Sequence, residues 1–203
     1  MIPFRTHTGL AAPLARINVD TDQIIPKQFL KRIERTGYEN FLFHDWRYRA
    51  DAPNPEFVLN EARYAGATIL IAGANFGCGS SREHAVWALR DYGFRAIIAP
   101  AFADIFALNC TKNGLPTVQL EQPAVSELMR RAQDIVCYEV TVDLAAEKIS
   151  DRHGLSVTFQ MDEFRRHCLL EGLDEIGLTL KRESEIAAYE RKTADQQHRW
   201  PAR

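Results

Sequence analysis

The strongest apolar signal in the chain is the unbroken run Ala67-Thr68-Ile69-Leu70-Ile71-Ala72, whose length and β-branching predict a buried strand. A glycine-rich turn follows. Beyond it, Ala85, Ala88, Leu89 and Tyr92 recur on one face of a helix that Gly93 is placed to end. The alternation then repeats. Ala96 to Ala99 reads as a strand, Asp104 to Lys112 as a helix closed by Asn113-Gly114, Pro116 to Leu120 as a strand, and Ala124 to Gln133 as a helix.

The texture changes after that helix. Tyr138 to Leu144 and Ser156 to Gln160 alternate with period two, as antiparallel strands with one wet face do. On the N-terminal side, Leu14 to Val19 is a strand candidate leading into the polar turn Asp20-Thr21-Asp22. Lys27 to Asn60 has no periodicity, and a stretch of that length marks a functional loop or lid. From Asp162 to about Lys192 the pattern is helical, with breaks near Gly172 and Gly177. These elements predict an α/β fold with a mixed sheet over residues 1–160 and a C-terminal helical extension over 161–192. A polar, disordered tail is expected over 193–203. Strand order is not in the pattern.

Bulk properties narrow the function classes. The 203 residues suffice for one sizeable domain with an appendage, and 46% hydrophobic with 26% charged residues is an ordinary globular mix. A net charge of −2 with scattered Lys and Arg argues against a nucleic-acid footprint or a polybasic membrane patch. No apolar run approaches signal-peptide or membrane-span length, so a soluble, cytoplasmic protein is expected. Cys78, Cys110, Cys137 and Cys168 are too far apart for a C-x-x-C pair. They read as reduced, mostly buried thiols, with no metal site expected on this chain.

The candidate chemistry lies in the turn Gly73-Ala74-Asn75-Phe76-Gly77-Cys78-Gly79-Ser80-Ser81-Arg82-Glu83-His84, between a buried strand and an amphipathic helix. Glycines let a backbone approach a ligand closely, and a helix N-terminus offers free N–H groups to an anion. Arg82 adds a fork suited to a carboxylate or phosphate. A dinucleotide fingerprint fails because Arg82 stands where its third glycine belongs. A P-loop fails for want of Gly-Lys-Ser/Thr, and a nucleophile elbow because Arg82 and Glu83 follow where glycine is needed. Ser80 to Glu83 also has the spacing of a capping box, with Ser80 as N-cap and Glu83 as its partner. Three glycines and an arginine exceed what a cap requires and favour a ligand site.

At these residues a resemblance enters. Gly79-Ser80-Ser81-Arg82-Glu83-His84-Ala85 resembles the signature of the swivelling domain of the aconitase superfamily. Asn18 to Pro26 resembles the opening motif of the small-subunit family of 3-isopropylmalate dehydratase. Ala101 to Phe106 with Asn109-Cys110 and Lys112 to Pro116 is similar to a third block of that family. The resemblance implies a three-layer β/β/α swivelling domain and interconversion of 2- and 3-isopropylmalate by dehydration and rehydration, in leucine biosynthesis. It also implies a heteromer in which the [4Fe–4S] cluster resides on a separate large subunit and this chain carries no cofactor. Residue by residue, Ser80 matches a serine acting as alkoxide base, and Ser81 and Arg82 match contacts to a substrate carboxylate. Asp22 matches an acidic active-site position with Thr21 beside it, though both suit a polar turn equally well. Phe29-Leu30-Lys31-Arg32 falls where the family has a substrate-recognition loop. There Lys31 or Arg32 would meet charge and Leu30 an apolar branch, unless this is a solvated basic turn.

His84 reads as a packing or supporting residue, and Cys78 as packing. The aromatic stretch Phe41 to Tyr48 reads as an interface with the large subunit or as local core. Two rival readings remain open: a small subunit for a related hydro-lyase (homoaconitate, citraconate/methylmalate or dimethylmalate), or a non-catalytic anion-binding module of the same fold.

Overall fold

The computed structural model describes residues 1–50 and 52–197. Seven strands form one mixed sheet. Its parallel half is β1 (Thr6–Leu14), β4 (Ile69–Ala72), β5 (Ala96–Ala99) and β6 (Thr117–Gln119), and its antiparallel half adds β7 (Glu139–Asp143), β8 (Lys148–Asp151) and β9 (Ser156–Thr158). The spatial order is β6-β5-β4-β1-β7-β8-β9, so β1 joins the halves. Its Ala11–Leu14 run parallel to β4, and its Thr6–Leu10 run antiparallel to β7. Between β1 and β4 the chain makes two one-turn helices, α1 (Thr21–Ile24) and α2 (His44–Arg47), and the two-residue strands β2 (Tyr48–Arg49) and β3 (Ala52–Pro53). The remaining helices are α3 (Glu83–Tyr92), α4 (Asp104–Lys112), α5 (Gln122–Asp134), α6 (Glu163–Glu171), α7 (Glu175–Leu180) and α8 (Glu183–Gln197). Parallel and antiparallel halves of the curled sheet supply the expected β layers, and helices cover them.

Period-two alternation places the core on both faces. Leu70, Ala72, Ile97 and Ala99 pack with Ala85, Val86, Ala88 and Leu89 of α3 and Phe106 and Cys110 of α4. Ile69, Ile71, Ala96 and Ile98 face the other way, with Val125, Leu128 and Ala132 of α5, Val140 and Val142 of β7, and Leu169 of α6. The opposite face of β7 is wet, as its alternation predicts: Thr141 Oγ1 meets Thr8 Oγ1 at 2.7 Å.

Helix α4 and strand β5 span the residues expected of them, and several other elements do not. The first strand lies upstream of Leu14 to Val19: it ends at Leu14, where Arg16 N–H turns back to Leu14 O (2.7 Å), and Asn18 beyond it adopts φ 54°. Pro13 can sit inside a central strand because it lies beyond the last β1–β7 pair, Leu10 with Glu139, where its missing N–H forfeits no ladder bond. Strand β8 has only Ile149 as a buried apolar residue and is invisible to patterning. Gly172 ends α6 in the left-handed region as expected, but Gly177 lies inside α7, where its N–H is capped by Asp174 at 2.7 Å. The break falls at Lys181 and Arg182 instead. Helix α8 continues to Gln197, and 198–203 of the expected tail lie outside the described residues. Phe43 is fully buried and stacks on Trp46 at 5.5 Å, so the aromatic stretch contributes to the local core.

One buried carboxylate ties helix α5 to the antiparallel half of the sheet. Asp151 has no exposed side-chain surface and takes four hydrogen bonds, from Tyr138 Oη (2.6 Å), Arg131 Nη1 (2.7 Å), and the His153 and Leu155 N–H groups (both 2.8 Å). Burial alone would raise this carboxyl. The Tyr138 hydroxyl, the two backbone N–H groups and Arg131 outweigh it and hold the carboxyl at about 2. Its ionised form therefore stabilises the fold fully above the unfolded value of about 4, and the contribution disappears as pH falls toward 2. Asp151→Asn presents one acceptor oxygen where four donors converge. It should lose about 2–3 kcal/mol in urea denaturation at pH 7, with the gap to wild type closing below about pH 3.

Candidate active site

The three sequence blocks converge at the carboxyl ends of β1, β4 and β5, where ligands sit in parallel α/β sheets. The segment leaving β1 runs beside the segment leaving β4. Asn18 N–H donates to Ala74 O (2.9 Å), Gly77 N–H to Val19 O (2.8 Å) and Thr21 N–H to Cys78 O (3.0 Å). The segment leaving β5 closes the other side, with Phe76 N–H on Ala101 O (3.1 Å) and Ala103 N–H on Phe76 O (3.0 Å). Gly73 to Ser80 is thus clamped on both sides by backbone bonds. This also explains two of its glycines. A Cβ on Gly77 would stand 2.1 Å from Phe106 Cγ, and one on Gly73 would stand 2.3 Å from Arg16 O. Close packing against neighbouring chain, rather than approach to a ligand alone, requires glycine there.

The capping box expected at Ser80 is elsewhere. Arg82 is the N-cap of α3, in extended conformation and with no side-chain cap bond. The capping box is formed by Asp20 and Gln23, with Gln23 N–H on Asp20 Oδ1 (2.7 Å) and Asp20 N–H on Gln23 Oε1 (3.0 Å). The reason is the backbone: Gly79 has φ 84°, and Arg82 is still extended before the chain turns helical. Ser80 is exposed. Its carbonyl is anchored by Thr21 Oγ1 (2.7 Å), and among the described residues its own hydroxyl engages nothing. The N–H groups of Ser81, Arg82, Glu83 and His84 likewise find no acceptor among the described residues, so a set of free donors surrounds the start of α3.

Asp22 and Arg82 form an ion pair through Oδ1 and Nη1, and Lys27 Nζ stands 3.8 Å from Asp22 Oδ2. Arg82 is only 14% exposed, so Asp22 holds a guanidinium that is largely withdrawn from water. Asn109 of α4 reaches Ser81 Oγ at 3.5 Å, and Asn113 ties Glu83 to the same helix at 2.9 Å. A cavity of about 250 Å³ opens between the two segments, lined by Thr21, Ser81 and Arg82 on one side and by Ala103, Asp104, Ile105 and Phe106 on the other.

Five expected site residues, Thr21, Asp22, Ser80, Ser81 and Arg82, are therefore brought together. Leu30, Lys31 and Arg32 lie on or just after a 3₁₀ turn, Lys27–Lys31, away from these contacts. Leu30 packs against the core, Arg32 pairs with Glu34 at 3.5 Å and lies over the Phe41 ring at 5.2 Å, and Lys31 is exposed. His84 packs between Tyr38 and Trp87, with ring centroids at 5.7 and 4.7 Å. Burial, and then the Asp20 carboxylate, push the Cys78 thiol up, so it stays protonated and a poor nucleophile. Lys27 and Asn109 make contacts at the site that sequence reasoning assigns to neither. Lys27 directly follows the opening block, and Asn109 stands in the third block.

The aconitase C-terminal domain family matches residues 1–123, and the family of the C-terminal domain of the 3-isopropylmalate dehydratase small subunit matches 175–200. The 3-isopropylmalate dehydratase small subunit of Brevibacillus brevis is 57% identical over 191 residues, covering 94% of this chain and 98% of its own length. The chain belongs to this family. The Geobacillus kaustophilus small subunit is 58% identical over 193 residues, covering 95% and 98%. A crystal structure of 3-isopropylmalate dehydratase from Methanocaldococcus jannaschii shares the fold at a TM-score of 0.66 and 24% identity, covering 91% of this chain and 99% of that one. Among the described residues no group of three or more His, Cys, Asp or Glu side chains converges to hold a metal ion, and the four cysteines are unpaired and dispersed. The described residues of this chain do not fit a cluster. No helix among them is long and apolar enough to cross a membrane.

Proposed function

We propose that this chain is the small subunit of a cytoplasmic 3-isopropylmalate dehydratase, supplying the proton-transfer and carboxylate-binding groups of a site shared with a large subunit. The observation that carries the reading is the meeting of Ser80-Ser81-Arg82 with Thr21-Asp22 beside a cavity that Thr21, Ser81 and Arg82 line, in a chain 57% identical to such a subunit over 94% of its length. The swivelling domain, 1–160, holds every proposed site residue; the extension, 161–192, holds none.

Dehydration breaks a C–H and a C–OH bond and forms a C=C bond. A [4Fe–4S] cluster on the large subunit would supply the Lewis acid that helps hydroxide leave. On this chain, Ser80 Oγ takes the proton as an alkoxide, a state the neighbouring free N–H groups and the start of α3 favour electrostatically. Thr21 anchors the Ser80 backbone so that the hydroxyl points from a fixed base. Arg82 uses its remaining donors on one substrate carboxylate, with Ser81 alongside, while Asp22 sets the guanidinium's orientation. Lys31, exposed on the following turn, reaches the second carboxylate, and Leu30 and Arg32 shape the loop that carries it.

Reconstitution with a cluster-loaded large subunit tests this. The complex should interconvert 2- and 3-isopropylmalate with higher kcat/KM than it shows for citraconate or homoaconitate, and this chain alone should be colourless and inactive. A preference for either of the other substrates would assign the chain to a related hydro-lyase. A complex that assembles without turning over any of them would leave an anion-binding module.

A further inference from the structure

Helix α3 begins without a side-chain cap. Arg82 stands at its N-cap, and among the described residues no side chain accepts from the N–H groups of its first turn. A cap would occupy the donors that an anion at this site needs. The hold comes from the side instead, from one residue at the far end of α4. Asn113 Oδ1 accepts from Trp87 Nε1 (3.1 Å), and its Nδ2 donates to Glu83 Oε1 (2.9 Å) and to Asn109 O (2.9 Å). The Asn113 backbone N–H closes α4 on Asn109 O (3.2 Å) and Cys110 O (3.1 Å), so this side chain projects from a fixed base. Glu83 directly follows Arg82 and Trp87 lies one helical turn on, so both stand on the same face of α3. Trp87 in turn packs on the core and against His84, with ring centroids at 4.7 Å. Asparagine fits this place closely, because one oxygen and both amide hydrogens are in use.

We infer that Asn113 is a positioning residue for the reaction. It clasps the start of α3 to α4, and so fixes Ser80, Ser81 and Arg82 while leaving the N–H groups of their turn free. The inference rests on the function proposed above and deepens it. Asn113 acts through Glu83 and Trp87. Glu83 is exposed, so its bond to Asn113 adds little to the stability of the fold. Its consequence is geometric: a displacement of about 1 Å at a reacting group costs up to about 10²-fold in rate.

The test is Asn113→Asp, which keeps an oxygen for Trp87, removes both donors and sets a carboxylate against Glu83. In the reconstituted complex at saturating large subunit, kcat/KM for 2-isopropylmalate should fall about tenfold or more, with the thermal midpoint close to wild type. Amide hydrogen exchange over 85–89 of this chain should quicken. Adding Glu83→Gln supplies a donor to the new carboxylate and restores the clasp with its polarity reversed. That double variant should return kcat/KM to within about threefold of wild type and slow the exchange again. Glu83→Gln alone keeps an acceptor for Asn113 and should behave as wild type. Unchanged kcat/KM in Asn113→Asp, or a fall that the second substitution does not reverse, overturns the inference. So does a fall with exchange over α3 unaltered, or a loss of activity in Glu83→Gln alone, which would assign the effect to the Glu83 carboxylate itself. A wild-type complex with no turnover of 2-isopropylmalate would instead defeat the proposed function, while the exchange rates still read the clasp; the two failures are thereby told apart.

Discussion

Ser80→Ala is expected to reduce turnover of the assembled enzyme by about 10²- to 10⁴-fold, the range a positioned proton-transfer group contributes. Its thermal midpoint and its affinity for the large subunit should be close to wild type. The second half of this expectation comes from the backbone. Ser80 precedes the N-cap of α3 by two residues, is exposed, and makes no side-chain hydrogen bond among the described residues. Its hydroxyl therefore contributes no cap, and its removal should change stability by no more than about 0.5 kcal/mol. Had the serine been the N-cap, alanine would have cost about 1 kcal/mol and activity would have followed stability. The geometry separates these outcomes: activity should collapse while the fold holds. Because the Ser80 carbonyl still accepts from Thr21, the turn itself should persist in the variant.

Arg82→Lys should lower kcat/KM by the equivalent of about 2–5 kcal/mol despite keeping the charge. The guanidinium has one arm on Asp22 and must offer a second, differently directed pair of donors to the substrate. Lysine is a single ammonium. It can pair with Asp22 or approach a carboxylate, but it cannot hold both in the planar fork geometry that sets their mutual direction. With the side chain only 14% exposed, the lost contact is poorly replaced by water. Asp22→Asn should show a milder loss dominated by kcat, because it frees the guanidinium rather than removing it. Steady-state kinetics on the reconstituted variants decide the order.

Much of this architecture is legible in the sequence because the parallel half of the sheet obeys simple periodicity. The strand at Ile69–Ala72, the helix ending at Gly93, β5 and α4 all carry apolar residues at strand or helix spacing with ordinary stop signals. Patterning fails where tertiary contacts decide. Strand β1 hides because Gly9 and Pro13 are poor strand formers that its particular neighbours accommodate. β8 hides because one face is wet and the other is anchored by Ile149 and the buried Asp151 rather than by an apolar run. At the site, the Ser80–Arg82 turn is locally recognisable. Its partnership with Thr21 and Asp22, about 60 positions earlier, is created by β1 and β4 lying side by side, which no local spacing encodes. Spacing alone does not separate a cap at Ser80 from the one formed at Asp20. Both have a suitable partner three residues on, and only the φ of Gly79 and the extended Arg82 separate them.

Whether Ser80 breaks the C–H bond decides the role of this chain in the chemistry. The measurement is loss of deuterium from the methylene carbon of labelled 2-isopropylmalate, followed in the complex with wild-type chain and with Ser80→Ala at saturating substrate and large subunit. Label should be lost rapidly with wild type and more slowly by about 10²-fold or more with the variant, both chains being equally folded and bound. Equal rates of label loss would contradict this and remove Ser80 from the chemistry.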